Sequence, residues 1–397
     1  MRLVFLCASL EPGRDGVGDY TRRLAAELAA RGHDVACVAM NDRHARALGN
    51  ACLRAGPEPA TIPIPVLRLP TSAPWRERMR LLQEFLDERR PDWVSLQFVP
   101  YGFHHKGLPF GLPGRLARLK GNFRWHLMFH ELWIGEEDHF PLRHRLIGRL
   151  QRLIAGRLGR TPGAVLHTSN PCFRDRLLSL GCHAGILPLF SNIPVVPPDP
   201  GLRRRILMEA GCLTEGTGED QAWILSFFGA IHPQWEPGPL LERIRSAMSP
   251  AGKKTCLFLS LGRTGEAGAA VWHRLAASSD PSFRFLQRGP LPEEEISRHL
   301  HIADFGIVTS SLHLLGKSGS AAAIRSHGVP LIGTRLEESM GLELPPDVIL
   351  PDGNFWNRLT EQCKQENLPT AESVAERLEA ALLESPVPPG TEAAQNP

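Results

Sequence analysis

Paired cysteines are missing from this chain. Its eight cysteines, at positions 7, 37, 52, 172, 182, 212, 256 and 363, are scattered and include no Cys-x-x-Cys. That argues against a disulfide or zinc framework and for reduced thiols in a cytoplasm. Also missing is any run near the ~20 apolar residues that span a bilayer. The opening Met1-Arg-Leu-Val-Phe-Leu-Cys-Ala-Ser-Leu10 only loosely imitates a signal peptide. A glycine loop and an amphipathic helix pattern follow at once, as they follow a first core strand. His130-Glu131 has no second histidine at His-Glu-x-x-His spacing, which removes a zinc peptidase. Glu136, Glu137, Asp138 and His139 read as a solvated acidic loop rather than a metal cluster, and no metal is expected.

At 397 residues the chain exceeds one ordinary core and fits two domains. Its net charge of +3 hides an asymmetry. Residues 1–190 carry 27 Lys/Arg against 17 Asp/Glu, or +10; residues 191–397 carry 18 against 25, or −7. The basic half suits an anionic partner such as a lipid surface or a phosphorylated acceptor, or is an arginine-rich composition with no partner. Residues 140–160 hold six arginines and no acid. Leu142, Leu146, Leu150, Leu153 and Ile154 recur there at helical spacing. The pattern reads first as an amphipathic helix with its arginines in water, and second as a peripheral contact with an anionic membrane at the cytoplasmic face. Nothing points to nucleic acid.

Strand and helix patterns alternate through both halves, the mark of α/β domains with parallel sheets. Strands are expected at 3–8, 35–40, 66–69, 93–98, 126–129 and 165–168. In the second half they are expected at 224–228, 256–261, 283–286, 305–308, 330–332 and 348–350. Helices are expected at 20–30, 76–89, 142–158 and 371–383. Four prolines between 194 and 200 break both element types. The expected division is therefore a domain over 1–190, a linker over 191–200, a second domain over 201–384 and a disordered tail over 385–397.

The stretch from Asp304 to Gly328 is the most informative. A short strand pattern leads through a loop into a helix that opens on Lys317-Ser318-Gly319-Ser320. The first turn of a helix has N–H groups without partners and a partial positive charge. With Lys317 beside it, that tip has the makings of a phosphate cradle; it reads equally as a serine-capped helix packed through Ala321, Ala322 and Ala323. A second glycine loop, Glu11 to Thr21, follows the first strand. As a dinucleotide fingerprint it fails, because Thr21 stands where the last glycine belongs, and Asp42 alone does not restore the match.

Taken in order, these segments resemble the retaining glycosyltransferases of the GT-B fold, family 4. The resemblance rests on Gly16-Val-Gly-Asp-Tyr-Thr through Val35, Arg90-Pro-Asp92, Phe129-His130-Glu131 and Phe228-Gly-Ala-Ile-His-Pro-Gln-Trp235. It continues through Ala303-Asp-Phe-Gly-Ile307, Gly316-Lys-Ser-Gly-Ser and His327-Gly-Val-Pro330. It implies two Rossmann-like parallel-sheet domains facing each other across a cleft, acceptor on the first and nucleotide-diphosphate sugar on the second. Gly16 and Gly18 would lie near the donor phosphates and His130 would reach the donor sugar. Asp19 and Tyr20 are acceptor-side candidates. The turn Arg288-Gly289-Pro290-Leu291 would frame the base, and Ser318, Gly319 and Ser320 would donate N–H groups to the diphosphate.

The chain departs from the family at its charged positions. Counting back from Gly328, the two glutamates expected eight apart are replaced by Leu315 and Ala323. The Arg and Lys after the first strand of the second domain are replaced within Ile231-His-Pro-Gln-Trp-Glu236. Lys317 and Arg263 are the candidates for the displaced positive charge, with Lys317 and His130 as the catalytic pair. No Asp-x-Asp occurs, which removes the metal–diphosphate anchor of the other main glycosyltransferase fold. With two tyrosines there is no aromatic stripe to indicate a sugar. The implied activity is transfer of a sugar from a nucleotide-diphosphate donor to a hydroxyl acceptor in glycan or lipid-linked assembly, with no cofactor beyond the donor. A non-catalytic scaffold that partners an active transferase, and a phosphorylase or epimerase, remain as alternatives.

Overall fold

The computed structural model describes residues 1–55, 62–135, 141–334, 344–352, 355 and 368–385. The acidic residues 136–139 and all but the first residue of the tail 385–397 lie outside that set. The chain divides into two compact units, Met1–Leu189 with Pro369–Pro397, and Phe190–Leu368.

The first unit is built on eight strands: β1 (Arg2–Cys7), β2 (Asp34–Asp42), β3 (Gly49–Ala55), β4 (Ile62–Pro70), β5 (Trp93–Phe98), β6 (Arg124–Phe129), β7 (Val165–Thr168) and β8 (Gly185–Ile186). Their order is β3-β4-β2-β1-β5-β6-β7-β8. Every pair is parallel except β3 with β4. The second unit holds β9 (Ala222–Phe228), β10 (Thr255–Leu261), β11 (Phe283–Gly289), β12 (Phe305–Val308), β13 (Leu331–Gly333) and β14 (Val348–Ile349). All of its pairs are parallel, in the order β11-β10-β9-β12-β13-β14. The central strands are buried on both faces, which is why they read as unbroken apolar runs.

Two expectations about chain organisation change. Helix Ala371–Glu384, expected in the second domain, packs on helix Gly16–Ala30 of the first unit. Its Val374, Ala375, Leu378 and Leu382 are fully buried, while Arg31 at the end of the other helix pairs with Glu376 and Glu379. Exposed ion pairs contribute little, so the apolar stripe holds this helix. The proline-rich segment after Phe190 is docked on the second unit. Ile193 lies in that unit's core, Val196 N–H donates to Ser297 Oγ at 3.0 Å, and the Val196 carbonyl lies 2.7 Å from His301 Nε2.

A row of polar side chains crosses the interior of the first sheet. His130, just past β6, holds its Nε2 2.8 Å from Gln97 Oε1, and the Gln97 amide donates to Ser95 Oγ at 2.8 Å. Ser95 Oγ is 2.7 Å from His126 Nδ1, and His126 Nε2 is 3.1 Å from His167 Nδ1. The assignment that uses every hydrogen runs one way, from His130 Nε2–H to His167 Nδ1, with all three rings neutral. An added proton on His126 or His167 would set donor against donor. Burial lowers the His130 pKa to about 3 and that of His167 to about 4. His126 is held well below its usual value by burial first, and then by its two histidine neighbours.

Two tests follow from this architecture. Leu378→Ala should destabilise the first unit by about 2–5 kcal/mol. Hydrogen exchange should then speed up at Leu24 and Leu28 and not along β9 and β10; equal protection in the variant would count against this docking. The histidine row sets a pH dependence. Its folded pKa values lie below the unfolded value near 6.5, so the unfolded chain binds more protons as pH falls. Its contribution is complete above about pH 6.5 and is lost as pH falls towards 4 and then 3. Between pH 6.5 and 5 the urea midpoint of the first unit should drop steadily, and His167→Gln should make that slope shallower by about one proton, near 1.4 kcal/mol per pH unit. A flat midpoint across this window would exclude the neutral row.

Candidate functional site

In each unit the strand order reverses once, at β1 between β2 and β5, and at β9 between β10 and β12. Open parallel sheets bind ligands beyond the carboxyl ends of the strands at that reversal.

In the first unit, helix Gly16–Ala30 starts there. A Cβ on Gly18 would stand 2.4 Å from the Ser9 carbonyl oxygen, so glycine is needed for the helix to sit against the loop leaving β1. Around Gly16 a Cβ would meet nothing within 4 Å. The Asp15 carboxylate caps this helix, accepting from Val17 N–H at 3.0 Å and Gly18 N–H at 3.1 Å. An incoming phosphate would compete with the chain's own anion. Burial raises the Asp15 pKa. Asp19 accepts from Gly13 N–H at 3.0 Å and from Arg22 at 2.6 Å, which ties its carboxylate to the glycine loop. Tyr20 is fully buried, its ring edge-on to His130 with centroids 5.0 Å apart. His130 is 5% exposed and neutral with its Nε2–H given to Gln97, so its Nδ1 can accept a hydrogen bond and it has hardly an acidic proton to give. The structure brings Gly18, Tyr20 and His130 to one end of the sheet, with Asp19 beside them.

The second unit keeps its helix start more open. Helix Gly319–Ser326 is capped by Ser318, whose hydroxyl accepts from Ala321 N–H at 3.2 Å and whose carbonyl accepts from Ala322 N–H at 2.9 Å. Ser318 N–H is itself donated to the Leu315 carbonyl at 3.0 Å, so this residue is a cap and its N–H is occupied. Gly319 and Ser320 contribute the remaining first-turn N–H groups, with half-buried Lys317 two residues before the helix's first full turn. Gly229, just past β9, lies at φ +78°, and a Cβ on it would reach 2.8 Å from Ser320 Oγ. Across the reversal, Thr309 Oγ1 accepts from His232 N–H at 2.9 Å and ties the loop after β12 to the loop after β9.

The same edge carries the other candidates. Gly229 N–H donates to the Leu261 carbonyl at 2.9 Å, and Gly262 N–H to the Gly289 carbonyl at 2.8 Å. The ends of β9, β10 and β11 are thereby laced together, with exposed Arg263 following Gly262. Arg288 is committed by its side chain to Glu209, with Nη1 2.9 Å from Oε1 and a second contact from Nη2. That leaves the backbone of Arg288, rather than its side chain, to meet a ligand. Leu291 packs against the core of the unit.

At the two positions where the resemblance implied glutamates, this chain has packing residues. Ala323 is fully buried and Leu315 packs on the same cluster, while Ile231 and Trp235 belong to the core on the opposite face of the sheet. Sequence reading passed over Gln97, Ser95, His126 and His167, which hold His130, and Asp15, which caps the first helix. The Asp15 signal was present, as an N-cap residue type directly before a helix. Thr309 had no local signal.

Comparison with known proteins places these observations. Residues 15–189 match the model of the glycosyl transferase 4-like domain. No curated protein matches the chain. Among solved structures, UDP-GlcNAc 2-epimerase from Methanocaldococcus jannaschii has a TM-score of 0.54 at 11% identity, covering 96% of this chain and 100% of the other. A glycosyltransferase from Rickettsia africae ESF-5 has a TM-score of 0.52 at 9% identity, covering 96% and 88%. The lipopolysaccharide outer core galactosyltransferase WaaB has 0.50 at 11%, covering 96% and 99%. At such identities the likeness is one of fold. The chain therefore has the GT-B fold, two Rossmann-like units in one polypeptide, and residues 15–189 of the first unit are similar to the glycosyl transferase 4-like domain.

Proposed function

We propose that this protein is a retaining glycosyltransferase that moves a sugar from a nucleotide-diphosphate donor to a hydroxyl acceptor. The observation that carries the reading is the start of helix Gly319–Ser326. Two backbone N–H groups and Lys317 stand at the carboxyl edge of the second sheet, where its strand order reverses and where Gly229 leaves room beside Ser320. Negative charge builds on the departing diphosphate, and fixed donors and a cation aimed at it accelerate its departure. The acceptor hydroxyl attacks on the leaving-group face, so no enzymic nucleophile is assigned. His130, kept neutral by burial and oriented by Gln97, serves as a hydrogen-bonding partner for the donor sugar. The backbone from Arg288 to Leu291 frames the base.

The glycosyl transferase 4-like match over residues 15–189 supports transfer. Epimerases share the fold, so the assay has to separate the two. A screen of UDP-, GDP- and ADP-sugars is expected to release free nucleotide when a hydroxyl acceptor is supplied. Epimerised nucleotide sugar formed without acceptor would replace this reading, and failure to bind any donor in calorimetry would favour a scaffold.

Lys317→Ala should lower turnover roughly 100-fold or more, the scale of losing one preorganised charge donor. Its melting temperature should stay close to that of the parent. Gly229→Ala should weaken nucleotide binding through the crowded Ser320 hydroxyl. An unchanged rate in a stable Lys317→Ala protein would refute the assignment.

A further inference from the structure

Helix Leu142–Gly159 turns an unexpected face to solvent. Its periodicity suggested leucines inside and arginines in water, but the structure divides the leucines. Gly148, Gln151, Ile154, Ala155 and Leu158 are buried. Leu142, Leu146 and Leu153 are 81%, 58% and 64% exposed. Steps of four and seven residues place these three on one face of the helix. Every other exposed position from 142 to 160 is an arginine, namely 143, 149, 152, 157 and 160. No acid occurs in that stretch.

The patch extends beyond this helix. Arg152 donates to Ser179 Oγ at 3.3 Å and Arg160 to the Leu180 carbonyl at 2.9 Å. These bonds bring the end of helix Pro171–Leu178 alongside, and Leu178 is itself 51% exposed. Bare leucines among guanidinium groups are costly in water and favourable at one kind of surface. At an anionic bilayer, leucines enter the acyl boundary while arginine stems lie along apolar surface and their heads meet lipid phosphates. Charge complementarity selects this occupant, since the half containing the helix carries +10. Among the described residues no helix is long and apolar enough to cross a membrane, so the contact would lie on the surface of the bilayer.

We propose that this Leu/Arg face docks the first unit on an anionic lipid bilayer. The inference goes beyond the donor chemistry and does not depend on it. It is tested with the full chain in flotation assays, using phosphatidylcholine vesicles with and without phosphatidylglycerol. Binding should require phosphatidylglycerol and weaken as salt rises. Leu146→Gln with Leu153→Gln should lower partitioning ~10-fold or more. Arg149→Gln with Arg157→Gln should lower it roughly fivefold per arginine. All four side chains are exposed, so melting curves should match the parent and confirm folding. The proposal falls if the chain ignores anionic vesicles at low salt, or if both double variants bind as the parent does. It also falls if the chain is a dimer that the leucine variants dissociate, which would make this face a contact between copies.

Discussion

A parallel sheet has to carry the chain back across itself after every strand, and in each unit the direction of that return reverses once. On either side of the reversal the connecting helices diverge, and the carboxyl ends of two strands are left uncovered between them. The candidate helix starts of both units lie at such a gap. Helix Gly16–Ala30 begins at one and helix Gly319–Ser326 at the other. Each lies close to the loop leaving the first strand of its sheet, where a Cβ would stand 2.4 Å from the Ser9 carbonyl oxygen at Gly18 in one and 2.8 Å from the Ser320 hydroxyl at Gly229 in the other. The two units then differ in how they treat the helix start. The first fills it with the Asp15 carboxylate. The second caps one N–H with a neutral serine hydroxyl and leaves two more beside a lysine. Helix electrostatics favour an external anion at the second far more than at the first.

The histidine row shows what it takes to hold one polar side chain at the end of a buried strand. Unpaired, each of these groups would cost about 1–3 kcal/mol. Linked in one direction, every donor has an acceptor, and the cost of burying each ring is largely offset. The same linkage fixes which nitrogen of His130 carries the proton, because Gln97 Oε1 can only accept. A ring that is neutral and turned by its neighbours is suited to recognising a sugar hydroxyl. It is poorly suited to general acid catalysis, which wants a pKa near the working pH.

The fold was largely legible because burial on both faces leaves a plain trace. The limits of β5, β7 and β12 were readable to the residue, the other expected strands differed by a few positions at their ends, and the two-residue β8 was not expected. Antiparallel β3 was missed because it is an edge strand beside a proline-containing partner, where neither alternation nor an apolar run appears. Helix Ala371–Glu384 was readable as a helix but not as part of the first unit, since periodicity shows that a helix buries one face and not what it buries it against. The site was legible in part. Glycines and serines at helix starts announce themselves, whereas a hydrogen-bonded row over five residues on three strands depends on register. Its one trace was Ser95 and Gln97, alternating inside an otherwise apolar strand. The arginine-rich helix misled in the opposite way, because five apolar positions at helical spacing are too many for one buried stripe.

The packing of the second unit bears on which of its groups could stabilise a departing diphosphate. With Ala323 fully buried and Leu315 packed on the same cluster, a carboxylate placed at Ala323 would bury an ion in an apolar core. A helix terminus supplies about 2 kcal/mol to a partly buried anion at best. Enzymes lower their barriers by roughly 8–23 kcal/mol. On the proposed reading, Gly319 and Ser320 alone fall well short. A full charge in a site that excludes water is the economical way to narrow the gap, since the same charge acts far more strongly at low dielectric. Lys317 is half-buried and adjacent to the helix start, whereas Arg263 is exposed. Of the two candidate cations, the lysine is therefore the one whose field would be least screened, and the weight of diphosphate stabilisation rests on it.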